Sequence, residues 1–212
     1  MRMETYQERS ISMKRLFFFS CMFVLLFSRV PVHAGGGQEY TSDEIVISNS
    51  IAYDKADDKP VNGVVNLFDA SGNLQKKTTY ANGKKDGVEK RYHKSGALAA
   101  ETHYKSGKQD GLTRILSETG VVLWEIPFKN GEKNGVARKR NQKGVLVAEI
   151  PFKNGKIHGV EKRYYPSGKV KEETTFRDNE MNGVYRSYSE SGELEEELLY
   201  KDDKIVPSNT SK

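Results

Sequence analysis

One cysteine, one tryptophan, four histidines and six prolines in 212 residues leave few chemistries open. The single cysteine, Cys21, lies in the apolar run 16–27 near the N-terminus. Phe18, Phe19 and Ser20 are a poor approach to a lipidated cysteine, and apolar residues continue after it, so Cys21 reads as a core position of a leader. Beyond that leader there is no cysteine, which excludes disulfide stapling and thiol chemistry. The run 16–27 is also too short for a bilayer-spanning helix, which needs about 20 apolar residues. A strong excess of one charge is missing as well. The formal net charge is +5, of which residues 1–34 supply a surplus of 3 basic groups, leaving 29 basic against 27 acidic. That balance excludes the large basic excess of a nucleic-acid binder. His93, His103 and His158 show no metal-ligand spacing. Apolar recurrences at three and four residues, the mark of amphipathic helices, are absent beyond the leader.

The first 34 residues have the three-part layout of a secretory signal peptide. Lys14 and Arg15 form the charged region, 16–27 the apolar region, and Val32-His33-Ala34 the cleavage signal. The expectation is export to the periplasm or beyond, with the mature chain starting near Gly35.

The rest of the chain repeats itself every 24 residues. Gly63, Gly87, Gly111, Gly135, Gly159 and Gly183 form an anchor column, and a second glycine follows each by nine: Gly72, Gly96, Gly120, Gly144, Gly168 and Gly192. A third column runs Gly83, Gly107, Gly131, Gly155, Asn179 and Asp203. Asn and Asp are the non-glycine residues that best tolerate positive φ, so this column is expected to keep a left-handed backbone throughout. Between the glycines stand apolar columns: Val64, Val88, Leu112, Val136, Val160 and Val184; Phe68, Tyr92, Leu116, Arg140, Tyr164 and Tyr188; Leu74, Leu98, Val122, Leu146, Val170 and Leu194; Tyr80, Tyr104, Phe128, Phe152, Phe176 and Tyr200. Their even spacing within each strand predicts a common sheet face. Asn62-Gly63, Asp86-Gly87 and their equivalents predict one turn, and Ser71-Gly72, Ser95-Gly96 and theirs the other. Two strands per unit then give an all-β, single-layer antiparallel meander in which each unit rests on its neighbours. Pairing the apolar columns would set Val160 opposite Thr174, Lys162 opposite Glu172, Arg186 opposite Glu196 and Arg114 opposite Trp124.

The expected organisation is a signal peptide at 1–34, an N-terminal extension with a capping half-repeat at 35–60, six repeats at 61–205, and a disordered tail at 206–212. Within the extension, 44–53 reads as the cap and 35–43 as disordered.

Segments such as Tyr164-Tyr165-Pro166-Ser167-Gly168-Lys169 followed by Phe176, and Phe152-Lys153-Asn154-Gly155-Lys156-Ile157-His158-Gly159, resemble MORN repeats, closest to the short bacterial variant. Arg140, Asn179 and Asp203 depart from the pattern. The resemblance implies a twisted β-meander used as a scaffold, a dimerisation surface or a lipid contact. Bacterial proteins of this variant are often labelled antitoxin components, a label that sits poorly with a signal peptide if the toxin acts in the cytoplasm.

No residue pattern points to catalysis, a cofactor or a metal. The Ser-Gly turns recur too regularly for one serine to be a nucleophile, and no histidine partners one. Glu101, Glu125, Glu149, Glu173 and Glu197 read as a solvated ladder balanced by neighbours such as Lys139 and Arg163, or as an acidic binding face. The aromatic columns pack on one another, and a single layer also leaves them partly open to a partner. Tyr92, Tyr164, Tyr188 and Trp124 are the candidate contacts there. Lys105, Lys129 and Lys153, continued by Arg177 and Lys201, line one long edge and are the second candidate surface. The expected function is a non-catalytic, extracytoplasmic binding or scaffold module for a protein or envelope partner, with weak anionic-lipid contact and a homodimer as further options and no nucleic acid. The alternative is an antitoxin-like or immunity-type neutralising protein.

Overall fold

The computed structural model describes residues 37–207. The leader, with Cys21 and the cleavage signal, lies outside the described residues, as do 208–212.

Among the described residues eighteen strands follow one another: β1 (Gln38–Thr41), β2 (Ile45–Ser48), β3 (Ile51–Asp54), β4 (Gly63–Phe68), β5 (Leu74–Ala81), β6 (Lys84–Tyr92), β7 (Leu98–Lys105), β8 (Lys108–Leu116), β9 (Val122–Lys129), β10 (Glu132–Lys133), β11 (Gly135–Arg140), β12 (Leu146–Lys153), β13 (Lys156–Ile157), β14 (Gly159–Tyr164), β15 (Val170–Arg177), β16 (Glu180–Tyr188), β17 (Leu194–Lys201) and β18 (Lys204–Val206). From β4 onward they form one antiparallel meander in chain order, closed at its N-terminal edge by β1, which lies parallel to β4. β2 and β3 form a separate hairpin. Residues 38–41 are therefore a strand of the main sheet rather than a disordered lead-in. The β2–β3 hairpin, read from sequence as a cap on the first hairpin, meets that hairpin's end and the first short turn, where the Ala52 N–H donates to the Gly83 carbonyl at 2.7 Å and the Val61 N–H to the Ala52 carbonyl at 2.9 Å. Tyr40, Ala52, Val61 and Val65 are buried at this end, with Ile45 and Tyr80 against them. At the other end β18 extends to Val206, which was expected in the tail.

The turns divide differently from the sequence expectation. The short hairpin turns are Asn82-Gly83, Ser106-Gly107, Asn130-Gly131, Asn154-Gly155, Asp178-Asn179 and Asp202-Asp203, with positive φ at both residues. Two consecutive left-handed residues make the turn whose twist matches that of the flanking strands. Asn179 (φ 80°) and Asp203 (φ 62°) keep the conformation of the glycines they replace. Their side chains also add a contact glycine cannot make: Asn179 Oδ1 accepts the Ile157 N–H and Asp203 Oδ1 the Met181 N–H, both at 2.7 Å. Asp86-Gly87, Asp110-Gly111 and Asn182-Gly183, read from sequence as turns, lie inside β6, β8 and β16. There the positive φ serves a bulge at which three residues face one on the preceding strand. The residue before the glycine reaches the next unit's turn, as when Asp86 accepts the Ser106 N–H at 2.9 Å and Asp110 the Asn130 N–H at 3.0 Å. The longer turns fall where expected. Gly96 N–H donates to the His93 carbonyl and His93 N–H to the Ala97 carbonyl, a pattern repeated through all six units.

A second bulge follows each long turn. Arg163 pairs with Glu172 and Tyr164 with Val170, leaving Lys171 as the extra residue. The register therefore differs by one from that drawn by pairing apolar columns: Val160 faces Thr175, Lys162 faces Glu173, Arg186 faces Glu197 and Arg114 faces Glu125. A one-residue change carries side chains to the opposite face. The four apolar columns accordingly do not share a face. The columns of Val64, Phe68 and Leu74 lie on one side, which we term outer, and that of Tyr80 on the other, inner side.

Candidate functional site

Along the middle of the inner face runs a ladder that no sequence column had singled out: register pairs join Val65, Thr78, Glu89, Thr102, Thr113 and Ile126 in succession, then Ala137 with Ile150, then Glu161, Thr174, Tyr185 and Leu198, and the pairs Lys139–Trp124 and Ala148–Arg163 carry the same face across the two junctions between these runs. Val65, Thr78, Glu89, Thr102, Ala137 and Glu161 on it are buried, whereas Val136, Val160 and Leu199 on the outer face are exposed. The aromatic column from Tyr80 to Tyr200 flanks the ladder on the short-turn side. Leu67, Arg91, Ile115, Trp124, Lys139, Ala148 and Arg163 flank it on the long-turn side.

The ladder changes character along its length. Glu89 is 2% exposed and holds Lys85, Arg91 (2.9 Å) and the Thr78 hydroxyl (3.4 Å). Burial pushes its pKa up, but the two cations outweigh that and hold it below the ordinary carboxylate value. Glu161 is bound by Arg163 at 3.0 Å. Between these buried carboxylates the ladder turns apolar at Ile126, Ala137 and Ile150. Here Ile115, Trp124, Ile126, Lys133, Ala137, Ile150 and Phe152 line an open depression of ≈ 230 Å³. Lys133 Nζ rests 4.8 Å from the centre of the Phe152 ring, and Lys139 Nζ lies 5.2 Å from that of Trp124. The cation over Trp124 is thus Lys139, not Arg114. Arg114 belongs to the outer face, between Glu101 (3.5 Å) and Glu125 (3.6 Å).

The outer face carries an almost unbroken series of alternating charges. Lys90, Glu101, Arg114, Glu125, Arg138, Glu149, Lys162, Glu173, Arg186 and Glu197 are successive cross-strand partners. Arg138–Glu149 and Lys162–Glu173 close to 3.0 Å and Arg186–Glu197 to 2.7 Å. The glutamate column is balanced from this side, while Lys139 and Arg163 stand on the inner face. The tyrosines named from sequence join this network. Tyr164 donates to Glu149 at 2.8 Å and Tyr188 to Glu173 at 3.2 Å. Burial first, and then Glu149, push the Tyr164 phenol up to about 12. Arg140 donates to Glu125 at 2.8 Å, so the arginine that interrupts the aromatic column performs the same task as the tyrosines. Tyr92 lies in the same column, with Lys77 in the place of the glutamate.

Lys105, Lys129 and Lys153 are exposed beside the short turns. Lys105 faces Lys108 and Lys153 faces Lys156, whereas Lys129 between them faces Glu132, so the basic character of this edge is interrupted at the middle of the array. The histidines are held separately. His93 bonds the Leu116 carbonyl at 3.1 Å, His103 the Leu112 carbonyl at 2.8 Å, and His158 lies 3.4 Å from Asp178. Among the described residues no three His, Cys, Asp or Glu side chains gather as a metal site would require.

Of the residues chosen from sequence, only Trp124 lines the depression. Its other walls had a signal in the sequence: the heptapeptide Glu-Ile-Pro-Phe-Lys-Asn-Gly occurs identically at 125–131 and 149–155 and nowhere else. It supplies Ile126 and Ile150, while Pro127 and Pro151 face the glycines that open β11 and β14.

No curated protein matches the chain. Four segments, 61–82, 85–106, 157–178 and 181–202, match the MORN repeat variant. Between the two matched pairs lies 107–156, which keeps the strand pattern and contains the depression. In sequence these four segments are similar to the MORN repeat variant, and they lie on both sides of the central units that carry the depression.

Proposed function

We propose that the chain is an exported, non-catalytic binding module whose inner face, across 107–156, seats a polypeptide partner. The observation that carries this is the open apolar depression around Trp124, Ile126, Ala137 and Ile150, which no other part of the described chain covers. Aromatic and aliphatic side chains on a rigid surface, with cations at the rim, are the ordinary composition of a contact centre. MORN repeats are commonly binding or scaffold modules, which agrees with a surface and not a pocket. The charged, apolar and small-residue layout of 14–34 supports export.

The test compares the faces. The parent chain, an Ile126→Glu/Ile150→Glu variant and an outer-face Val136→Glu/Val160→Glu variant are each used to capture partners from an envelope extract, after circular dichroism has shown all three folded. Loss of a specific partner in the inner-face variant alone is the expected result. Equal capture by all three removes the inner face as the site. Amino-terminal sequencing of the protein recovered outside the cytoplasm should begin near Gly35; a soluble cytoplasmic form retaining Met1 or Met13 removes the export claim.

A further inference from the structure

We infer that the inner-face depression recognises an extended acidic segment of the partner, with two carboxylate side chains four residues apart and an apolar side chain midway between them. This rests on the inner-face reading above and names the chemistry of its occupant.

The argument starts from charge. On the outer face the cations of the middle units, Arg114, Arg138, Arg140 and Lys162, each meet a carboxylate within 3.6 Å. Lys133 and Lys139 on the inner face are different. Among the described residues neither has a carboxylate within ion-pair reach, and each ammonium lies over an aromatic ring. A cation–π contact at an exposed site is weak and leaves the ammonium's N–H donors unused, so either ammonium is available to an incoming carboxylate.

Spacing supplies the rest. Lys133 pairs with Phe128 and Lys139 with Trp124, positions four residues apart on the same strand. At roughly 3.3 Å per residue the two lysines stand about 13 Å apart at the backbone. Ala137, 1% exposed, pairs with Ile150 between them, so the floor midway is small and apolar, with Ile126 on its other side. An extended segment lying along these strands presents residues i, i+2 and i+4 to the face. Carboxylates at i and i+4 would then meet Lys133 and Lys139, and the i+2 side chain would enter the depression.

Trp124 is the only tryptophan of the chain, so its fluorescence reports on this site alone. The full exported chain is titrated with short capped peptides: Glu-Ser-Leu-Ser-Glu, its charge-reversed counterpart Lys-Ser-Leu-Ser-Lys, and Glu-Leu-Glu with the carboxylates closed up. The expected result is that the first peptide shifts Trp124 emission and binds at least about tenfold more tightly than either of the others. Its affinity should fall with salt and be lost in Lys133→Gln/Lys139→Gln, while outer-face Val160→Ser leaves it unchanged. Equal binding of the acidic and basic peptides overturns the inference, as does binding that survives Lys133→Gln/Lys139→Gln. A shift produced by anionic vesicles and by none of the peptides also overturns it, in favour of a lipid surface. If no peptide binds but Ile126→Glu/Ile150→Glu still loses the captured partner, the acidic pattern is wrong and the inner-face reading stands. If that capture is also unaffected, both fall.

Discussion

Replacing Gly135 by alanine tests how the anchor column holds one unit on the next. Gly135 has a φ of +113°, and a Cβ there would stand 3.0 Å from Pro127 Cγ and 3.4 Å from Pro127 Cβ. Two costs follow. A side chain in that sparsely populated backbone region costs about 1–3 kcal/mol. Pressing the new methyl against a ring that cannot rotate away adds about 1–3 kcal/mol. Alanine also restricts the unfolded chain, but at an incompatible φ that gain of roughly 0.4–1 kcal/mol is outweighed. The net loss is about 1–5.5 kcal/mol. Gly120→Ala is the matched comparison. Its φ is +80° and nothing lies within 4 Å of the added Cβ, so only left-handed strain of about 1–2 kcal/mol remains before the same offset. Urea unfolding followed by circular dichroism should place the midpoint of Gly135→Ala clearly below that of Gly120→Ala. Hydrogen exchange should locate the loss in β9, β10 and β11, because each unit rests on its neighbours. Pro127→Ala removes the ring carbon at 3.0 Å, so combining it with Gly135→Ala should recover about 1–2 kcal/mol relative to additivity. Equal midpoints for the two glycine variants, or strict additivity with Pro127→Ala, would refute the reasoning.

Three further outcomes are expected. Glu89→Gln should destabilise the array by about 1–3 kcal/mol, because Lys85 and Arg91 lose a buried acceptor charge. Since the folded pKa of Glu89 lies below the ordinary glutamate value, its stabilisation is present above that value and disappears as the pH falls through the lower folded one. Melting temperatures taken down through that window should fall more steeply for the parent than for the glutamine variant, and parallel curves would contradict the assignment. Arg140→Tyr should stay within about 0.5 kcal/mol of the parent, because Tyr164 and Tyr188 bond their glutamates from the same column, whereas Arg140→Ala should cost about 1 kcal/mol; a chemical-denaturation series on the two decides this. Asn179→Gly should lower stability by about 1 kcal/mol despite restoring the column's usual residue, because the Ile157 N–H loses its acceptor; a gain in thermal stability would show that bond to be unimportant.

The positions that demand special backbone geometry, and the period that repeats them, were legible in the amino-acid sequence. Glycine with Asn and Asp substitutes can be read as positive φ because that demand is local, and Asn179 and Asp203 carry it as expected. The all-β meander followed from the same columns. What Asn-Gly and Asp-Gly do with a positive φ was not local. At Asn82-Gly83 it makes a hairpin turn, and at Asp86-Gly87 a bulge inside β6, because only in the sheet does the Asp86 carboxylate find the turn of the next unit. The bulge at each long turn leaves no mark in the apolar spacing, yet its one extra residue decides the face of every column beyond it. Tyr164 and Tyr188 therefore went to the outer charge ladder, and Glu89, an acidic residue in the sequence, became one of the most buried side chains because Lys85 and Arg91 meet it. Trp124 could be picked out by its rarity. The surface around it could not, since Ile115, Ala137 and Ile150 come from three strands, and only cross-strand register, a property of the assembled sheet, brings them together.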